Sequence, residues 1–253
     1  MANRARIFCC RSFALALLLV AASACAQPDY AREQRWADEI TPRLVVGDAV
    51  TLMQKSGHKL LALYAAPAHA RGAVMLVHGL GVHPDWGLIG ALRTALADAG
   101  YATLAVQMPV LAADAKGEDY GALFPDAAER LQLAVAFLQG RGHRNIALAS
   151  HSMGARMSNY FLVNGGTGVA VWISIGISSG DYAEPGKLKL PVLDIYGERD
   201  LPQVLQKGDA RTRVLQKLKG SAQIEVAGAD HYFAGYEAEL GRHLRQFLDR
   251  RFN

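Results

Sequence analysis

Ser150-His151-Ser152-Met153-Gly154 places a serine between a short apolar run (146–149) and the start of a helical pattern. A nucleophile elbow needs this context, because a sharp strand-to-helix turn lifts a serine oxygen above the sheet edge. Small residues two before and two after the serine let strand and helix approach. Gly154 meets that need, and Ser150 stands where glycine is usual, a departure a small side chain can absorb. Backbone strain at Ser152 is then an inference. The plainer reading is a serine that caps a helix.

A serine hydroxyl needs a base to take its proton, and the base needs a carboxylate to hold its tautomer. Asp200 ends Tyr196-Gly197-Glu198-Arg199-Asp200, after an apolar run, and His231 lies in Asp230-His231-Tyr232-Phe233, after the next one. Both positions fall at carboxyl ends of expected strands, where open α/β sheets place their sites. The order Ser, Asp, His is the one a strand–turn–helix nucleophile predicts. Among rival acids, Asp194 lies inside a strand, Asp230 is expected to cap the turn after it, and Glu198 is the nearest backup to Asp200. His58, His69, His143 and His243 read as surface or core residues. No His/Cys/Asp/Glu grouping has metal-ligand spacing, so no metal is expected.

The oxygen that becomes negative on attack needs backbone donors. Val77-His78-Gly79-Leu80-Gly81 sits at a strand end, which makes Leu80 N–H one candidate and Met153 N–H, at the start of the elbow helix, the other. A helix dipole would strengthen the second. The rival reading, a dinucleotide loop, is weak: no G-x-G-x-x-G follows and no acid ends the next strand. His83-Pro84-Asp85-Trp86 suits a helix start with Asp85 as its cap. His83 and Trp86 are also candidates for contact with substrate, Trp86 as a wall of an acyl pocket.

The elements that must position these residues follow from periodicity. Residues 44–53 and 59–64 read as a hairpin-like pair, and 73–77, 102–106, 146–149, 169–175, 192–196 and 222–226 as further strands. Helical spacing marks 86–99, 126–139, the stretch from Ser152 to about 164, 204–218 and 236–252. Residues 27–38 are polar and expected to be loosely ordered. Residues 107–125 form the longest irregular segment near the strand ends, a possible small lid with Met108, Val110, Leu111, Tyr120 and Phe124 as its apolar contacts. Strands alternating with helices give one α/β domain, a mostly parallel sheet covered on both faces. The short link from Ile177 to Leu190 leaves no room for a large cap there.

The first 26 residues read as a secretory leader, leaving 27–253 as the folded domain. Arg4, Arg6 and Arg11 precede an apolar stretch and the small residues around Ala26. Cleavage after Ala26 is favoured over lipoprotein processing at Cys25, so export to the periplasm or beyond is expected. The chain carries 27 Lys and Arg against 23 acids, and removing the leader takes away three arginines. A near-neutral product gives no reason to expect a nucleic-acid partner, and no later stretch is apolar enough for membrane insertion. All three cysteines (Cys9, Cys10, Cys25) fall in the leader, which rules out a cysteine nucleophile in the product.

Taken together, His78-Gly79-Leu80-Gly81, the Ser-His-Ser-Met-Gly elbow, Gly197 to Asp200 and Asp230-His231 resemble the α/β-hydrolase superfamily with a serine nucleophile, over about residues 44–252. The stretch His83-Pro84-Asp85-Trp86 is similar to a group of uncharacterised bacterial proteins of that type. The resemblance implies hydrolysis through an acyl-enzyme on Ser152, with no cofactor. The open site expected here suits a carboxylic or thio-ester of short to medium acyl chain, or a polymer end. Two alternatives stay open: a peptidase or amidase on the same residues, and a non-catalytic envelope or binding protein.

Overall fold

A computed structural model describes residues 27–252. The expected leader, with Cys25, lies outside the described residues. Eight strands form one sheet in the order β1-β2-β4-β3-β5-β6-β7-β8. The first pair, β1 (Asp48–Met53) and β2 (Lys59–Ala65), is an antiparallel hairpin, and β2 runs antiparallel to β4 (Ala102–Val106). From β4 onward the pairing is parallel, through β3 (Ala73–Val77), β5 (Ile146–His151), β6 (Val171–Ile175), β7 (Val192–Arg199) and β8 (Ala222–Asp230).

The central strands are buried along their whole length because helices cover both faces. On one face lie α3 (Phe124–Gly140) and α4 (Met153–Val163), packed on Met75, Leu104, Leu148 and Trp172. On the other lie α2 (Gly87–Asp98) and α7 (Glu237–Phe252), packed on Leu76, Ala149, Ile173 and Ile195. Continuous apolar runs in β3, β4 and β5 therefore report two-sided burial. The helix expected over 204–218 is two short ones, α5 (Pro202–Gln206) and α6 (Gly208–Leu215).

Two further sequence expectations are corrected. Residues 27–38 are not loose: Tyr30–Ile40 form a helix, α1, capped by the Asp29 side chain, which accepts a bond from Arg32 N–H at 2.9 Å. Its inward face sets Ile40 and Trp36 on the core beside a buried charge. Glu33 is buried and accepts a 2.8 Å bond from Arg130, itself fully buried in α3. The ring of His58 lies 3.2 Å from the same carboxylate and stacks on Tyr30.

The 107–125 segment is not a lid over the strand ends. Met108, Val110, Leu111 and Tyr120 are buried in the core. Asp29 N–H donates to Val110 O, and Leu111 N–H to the Tyr120 hydroxyl, which tie the segment to α1 and to itself.

Removing one partner of a buried ion pair costs roughly 3–5 kcal/mol. Without Arg130 the Glu33 carboxylate would keep, among the described residues, only the His58 ring and Val110 N–H, while Asp126 would lose its guanidinium partner. Arg130→Met is therefore expected to lower the urea-unfolding free energy by about that amount. An unchanged midpoint would show that the Glu33–Arg130 contact does not hold α1 to the core.

Candidate active site

The elbow is built at the end of β5. Ser152 has φ 56° and ψ −117°, a backbone conformation a non-glycine residue adopts only under constraint. Its N–H donates to Ile175 O at 2.9 Å, anchoring the turn to β6. At Gly154 a Cβ would lie 2.3 Å from the His78 carbonyl oxygen, so only glycine lets α4 come this close to the end of β3. Ser150 also has a physical reason. Its hydroxyl accepts a 2.8 Å bond from the Trp172 indole N–H, a buried donor that glycine would leave unpaired.

Ser152, Asp200 and His231 come together although they are far apart in sequence. His231 Nε2 lies 2.9 Å from Ser152 Oγ, and His231 Nδ1 lies 2.6 Å from Asp200 Oδ1. Asp200 leaves β7 where the pairing with β8 shifts register, and its carboxylate also accepts from Leu201 N–H (2.7 Å) and Gly197 N–H (3.3 Å). An acceptor-only carboxylate facing Nδ1 assigns the proton to that nitrogen and leaves the Nε2 lone pair toward the serine. All three side chains are buried. The rival acids go elsewhere. Asp194 pairs with Arg211 inside the core, Glu198 accepts from Gly228 N–H, and Asp230 accepts from Tyr232 and Ala234 N–H, the turn cap the sequence suggests.

Three further residues shape this arrangement. Gly176, at the end of β6 with φ +50°, faces the Asp–His pair; a Cβ there would lie 2.9 Å from Asp200 Oδ2 and 3.2 Å from His231 Nδ1. A glycine directly after an apolar strand is the one signal that could have marked it. His151 Nε2–H donates to the His231 carbonyl at 2.8 Å, and the two rings pack 4.8 Å apart. Burial pushes His151 down to about 4, and the neighbouring His231 ring pushes the same way, so it stays neutral near pH 7. His78 accepts from Met108 N–H through Nε2 (2.9 Å), which leaves the Nδ1 proton to donate to Gly79 O at 2.9 Å. Burial lowers His78 to about 3.

That last contact bears on the Leu80 amide. Gly79 C=O and Leu80 N–H belong to one planar trans peptide, so holding the carbonyl fixes the opposite direction for the N–H. Arg32 of α1 donates to Gly81 O at 2.9 Å and to Leu111 O at 2.8 Å, bracing the same loop from outside. Among the described residues neither Leu80 N–H nor Met153 N–H has a hydrogen-bond partner. Both amides are free to donate.

Beside Ser152 lies a cavity of about 560 Å³, walled by Leu80, Val82, Leu88 and Ile89. Trp86 and Tyr232 form its mouth, 55% and 65% exposed. His83 does not line it, contrary to its candidacy as a substrate contact. Its ring stands edge-on to Trp86 at 5.7 Å and packs against Trp36 at 5.6 Å, so it braces the mouth from behind. Asp85 is not the helix cap; its carboxylate takes the Arg93 guanidinium at 2.8 Å. Among the described residues no group of His, Cys, Asp and Glu is placed to hold a metal.

With this geometry in hand, solved structures can be compared. A dienelactone hydrolase from Anabaena variabilis superposes with a TM-score of 0.65 at 21% identity, covering 81% of this chain and 97% of its own. XC6422 from Xanthomonas campestris, described as an α/β serine hydrolase without lid, gives 0.63 at 20% identity, covering 81% and 95%. Est1E from Butyrivibrio proteoclasticus with ferulic acid bound gives 0.65 at 15% identity, covering 80% and 99%. The chain has the α/β-hydrolase fold. A sequence family described as a protein of unknown function (DUF3530) matches residues 13–120, a stretch that includes α1, the His78–Gly81 loop and Trp86. No curated protein matches the sequence.

The neutral histidines set a pH dependence. An ordinary histidine titrates near 6.5, so below that pH the unfolded chain binds protons at His78 and His151 that the folded chain refuses until about 3 and 4. Unfolding free energy therefore falls as pH drops from 6.5, by up to about 1.4 kcal/mol per pH unit for each such group. His78→Asn is expected to flatten the slope between pH 6 and 4.5 by up to that amount, read from urea unfolding at several pH values. An equal slope in variant and wild type would contradict a neutral His78.

Proposed function

We propose that this α/β-hydrolase-fold protein is a serine hydrolase that cleaves carboxylic or thio-esters of short to medium acyl chain. The observation that carries the reading is the unbroken hydrogen-bond chain from Ser152 Oγ through His231 to the Asp200 carboxylate, on a strained elbow beside an apolar cavity. Ser152 Oγ attacks the ester carbonyl carbon while its proton passes to His231 Nε2. Asp200 offsets the imidazolium charge. The carbonyl oxygen, now negative, is received by Leu80 and Met153 N–H, the second aided by the α4 dipole. Collapse expels the alkoxide or thiolate, which takes the proton from His231 and leaves an acyl-Ser152 ester. Water, deprotonated by His231, then releases the acid and restores Ser152.

Esters are favoured over amides because the structural neighbours include an esterase from Pyrococcus furiosus and a dienelactone hydrolase, both at low identity. The open site, with residues 107–125 packed into the core, suits a substrate that does not need a closing lid. Export through the leader, as a freely diffusing protein that acts on a small ester, belongs to the same proposal.

Labelling with a fluorophosphonate checks the assignment. Wild type is expected to react and Ser152→Ala to show none, with a p-nitrophenyl ester series then sizing the cavity. A folded wild type that takes no label would overturn the hydrolase reading and favour a binding protein.

A further inference from the structure

We infer that the cavity beside Ser152 selects a substrate whose bound end carries an ammonium-type cation, recognised by Glu237 together with the rings of Trp86 and Tyr232. The inference rests on the hydrolase reading for what happens to the substrate, but not for its binding.

Glu237 is half-buried, lines the cavity, and is the only carboxylate to do so among the described residues. Among the described residues no hydrogen bond or ion pair takes it. Neighbouring acids are all engaged: Glu239 with Arg242 at 3.0 Å, Glu198 with Gly228 N–H, Asp230 with Tyr232 N–H. Among the described residues no lysine or arginine lines the cavity to neutralise it. His151, which does line it, is uncharged near pH 7 for the reason given above. The cavity thus holds one uncompensated negative charge against aliphatic walls.

A charge beside low-dielectric walls is poorly screened and favours an opposite charge at short range. The same field disfavours an acyl chain ending in a carboxylate. Trp86 and Tyr232 present exposed rings at the mouth, and aromatic faces attract ammonium groups, indole most strongly. A quaternary or primary ammonium on a short stem matches both features, with its carbon atoms against Leu88 and Ile89. Glu237 also opens α7, where a carboxylate suits the helix dipole. That accounts for an acid at this position, and it predicts a different result from a cation site.

Calorimetric titration with (2-hydroxyethyl)trimethylammonium and its uncharged isostere 3,3-dimethylbutan-1-ol separates the two. Wild type is expected to bind the cation at least about tenfold more tightly than the isostere. In Glu237→Gln that ratio is expected to fall toward one, and Trp86→Ala to weaken the cation more than the alcohol. Equal binding of both compounds, binding of neither, or a cation preference unchanged in Glu237→Gln would overturn the inference. A lowered melting temperature in Glu237→Gln with an unchanged ratio would assign the carboxylate to the helix start alone. Cation selectivity in a protein whose Ser152 takes no fluorophosphonate would keep the cation site and remove the hydrolase reading.

Discussion

The candidate site depends on a contact with no side chain in it. Gly154 of α4 lies so close to the His78 carbonyl that a Cβ would overlap it. This approach joins the start of α4 to the end of β3, and so joins the serine turn to the loop that carries Leu80. With α4 pressed against β3, the chain leaving β5 must reverse within one residue, and Ser152 takes the positive φ that this requires. Ser152 N–H to Ile175 O, and the Trp172 indole on Ser150, hold the turn from the β6 side.

Around that contact the protein uses neutral histidines as backbone anchors. His78 fixes the peptide that offers Leu80 N–H, and His151 holds the carbonyl of His231 while packing on its ring. Each needs one proton on one chosen nitrogen, and burial keeps a second proton off. Glycine at 176 then leaves space for the Asp200–His231 pair, where any side chain would crowd the carboxylate. From outside, Arg32 bonds Gly81 O while the adjacent Glu33 is tied to Arg130, so α1 is part of the scaffold of the loop.

Much of this was legible in the sequence, for identifiable reasons. β3 and β4 run over the residues the apolar runs mark, because both faces are covered and every position is apolar or small. Ser152, Asp200 and His231 could be picked out because each follows a strand, and Asp230 because an acid before a turn finds amides to cap. What escaped has a common cause: polar residues facing inward. α1 buries Glu33 beside Ile40 and turns Arg32 toward the Gly81 and Leu111 carbonyls, so its inward face mixes charge with apolar residues, and its polar partners lie far along the chain at Gly81, Leu111 and Arg130. Residues 107–125 look irregular because their order comes from core packing of Met108, Leu111, Tyr120 and Leu123, a short 3-10 turn over Gly117–Leu123, and bonds from Val110 and Leu111 to Asp29, Arg32 and Glu33. His83 resembled a mouth residue by position, but its ring turns between two tryptophans.

The central claim is that Ser152 forms a covalent acyl intermediate. The most direct test is mass spectrometry of the peptide bearing Ser152, after brief reaction with a p-nitrophenyl ester and an acid quench. The account predicts a mass increase of one acyl group on Ser152, a larger trapped fraction as the ester series approaches the length that fills the cavity, and no adduct in Ser152→Ala. Ester hydrolysis that proceeds with Ser152 unmodified, and at the same rate in Ser152→Ala, would contradict it.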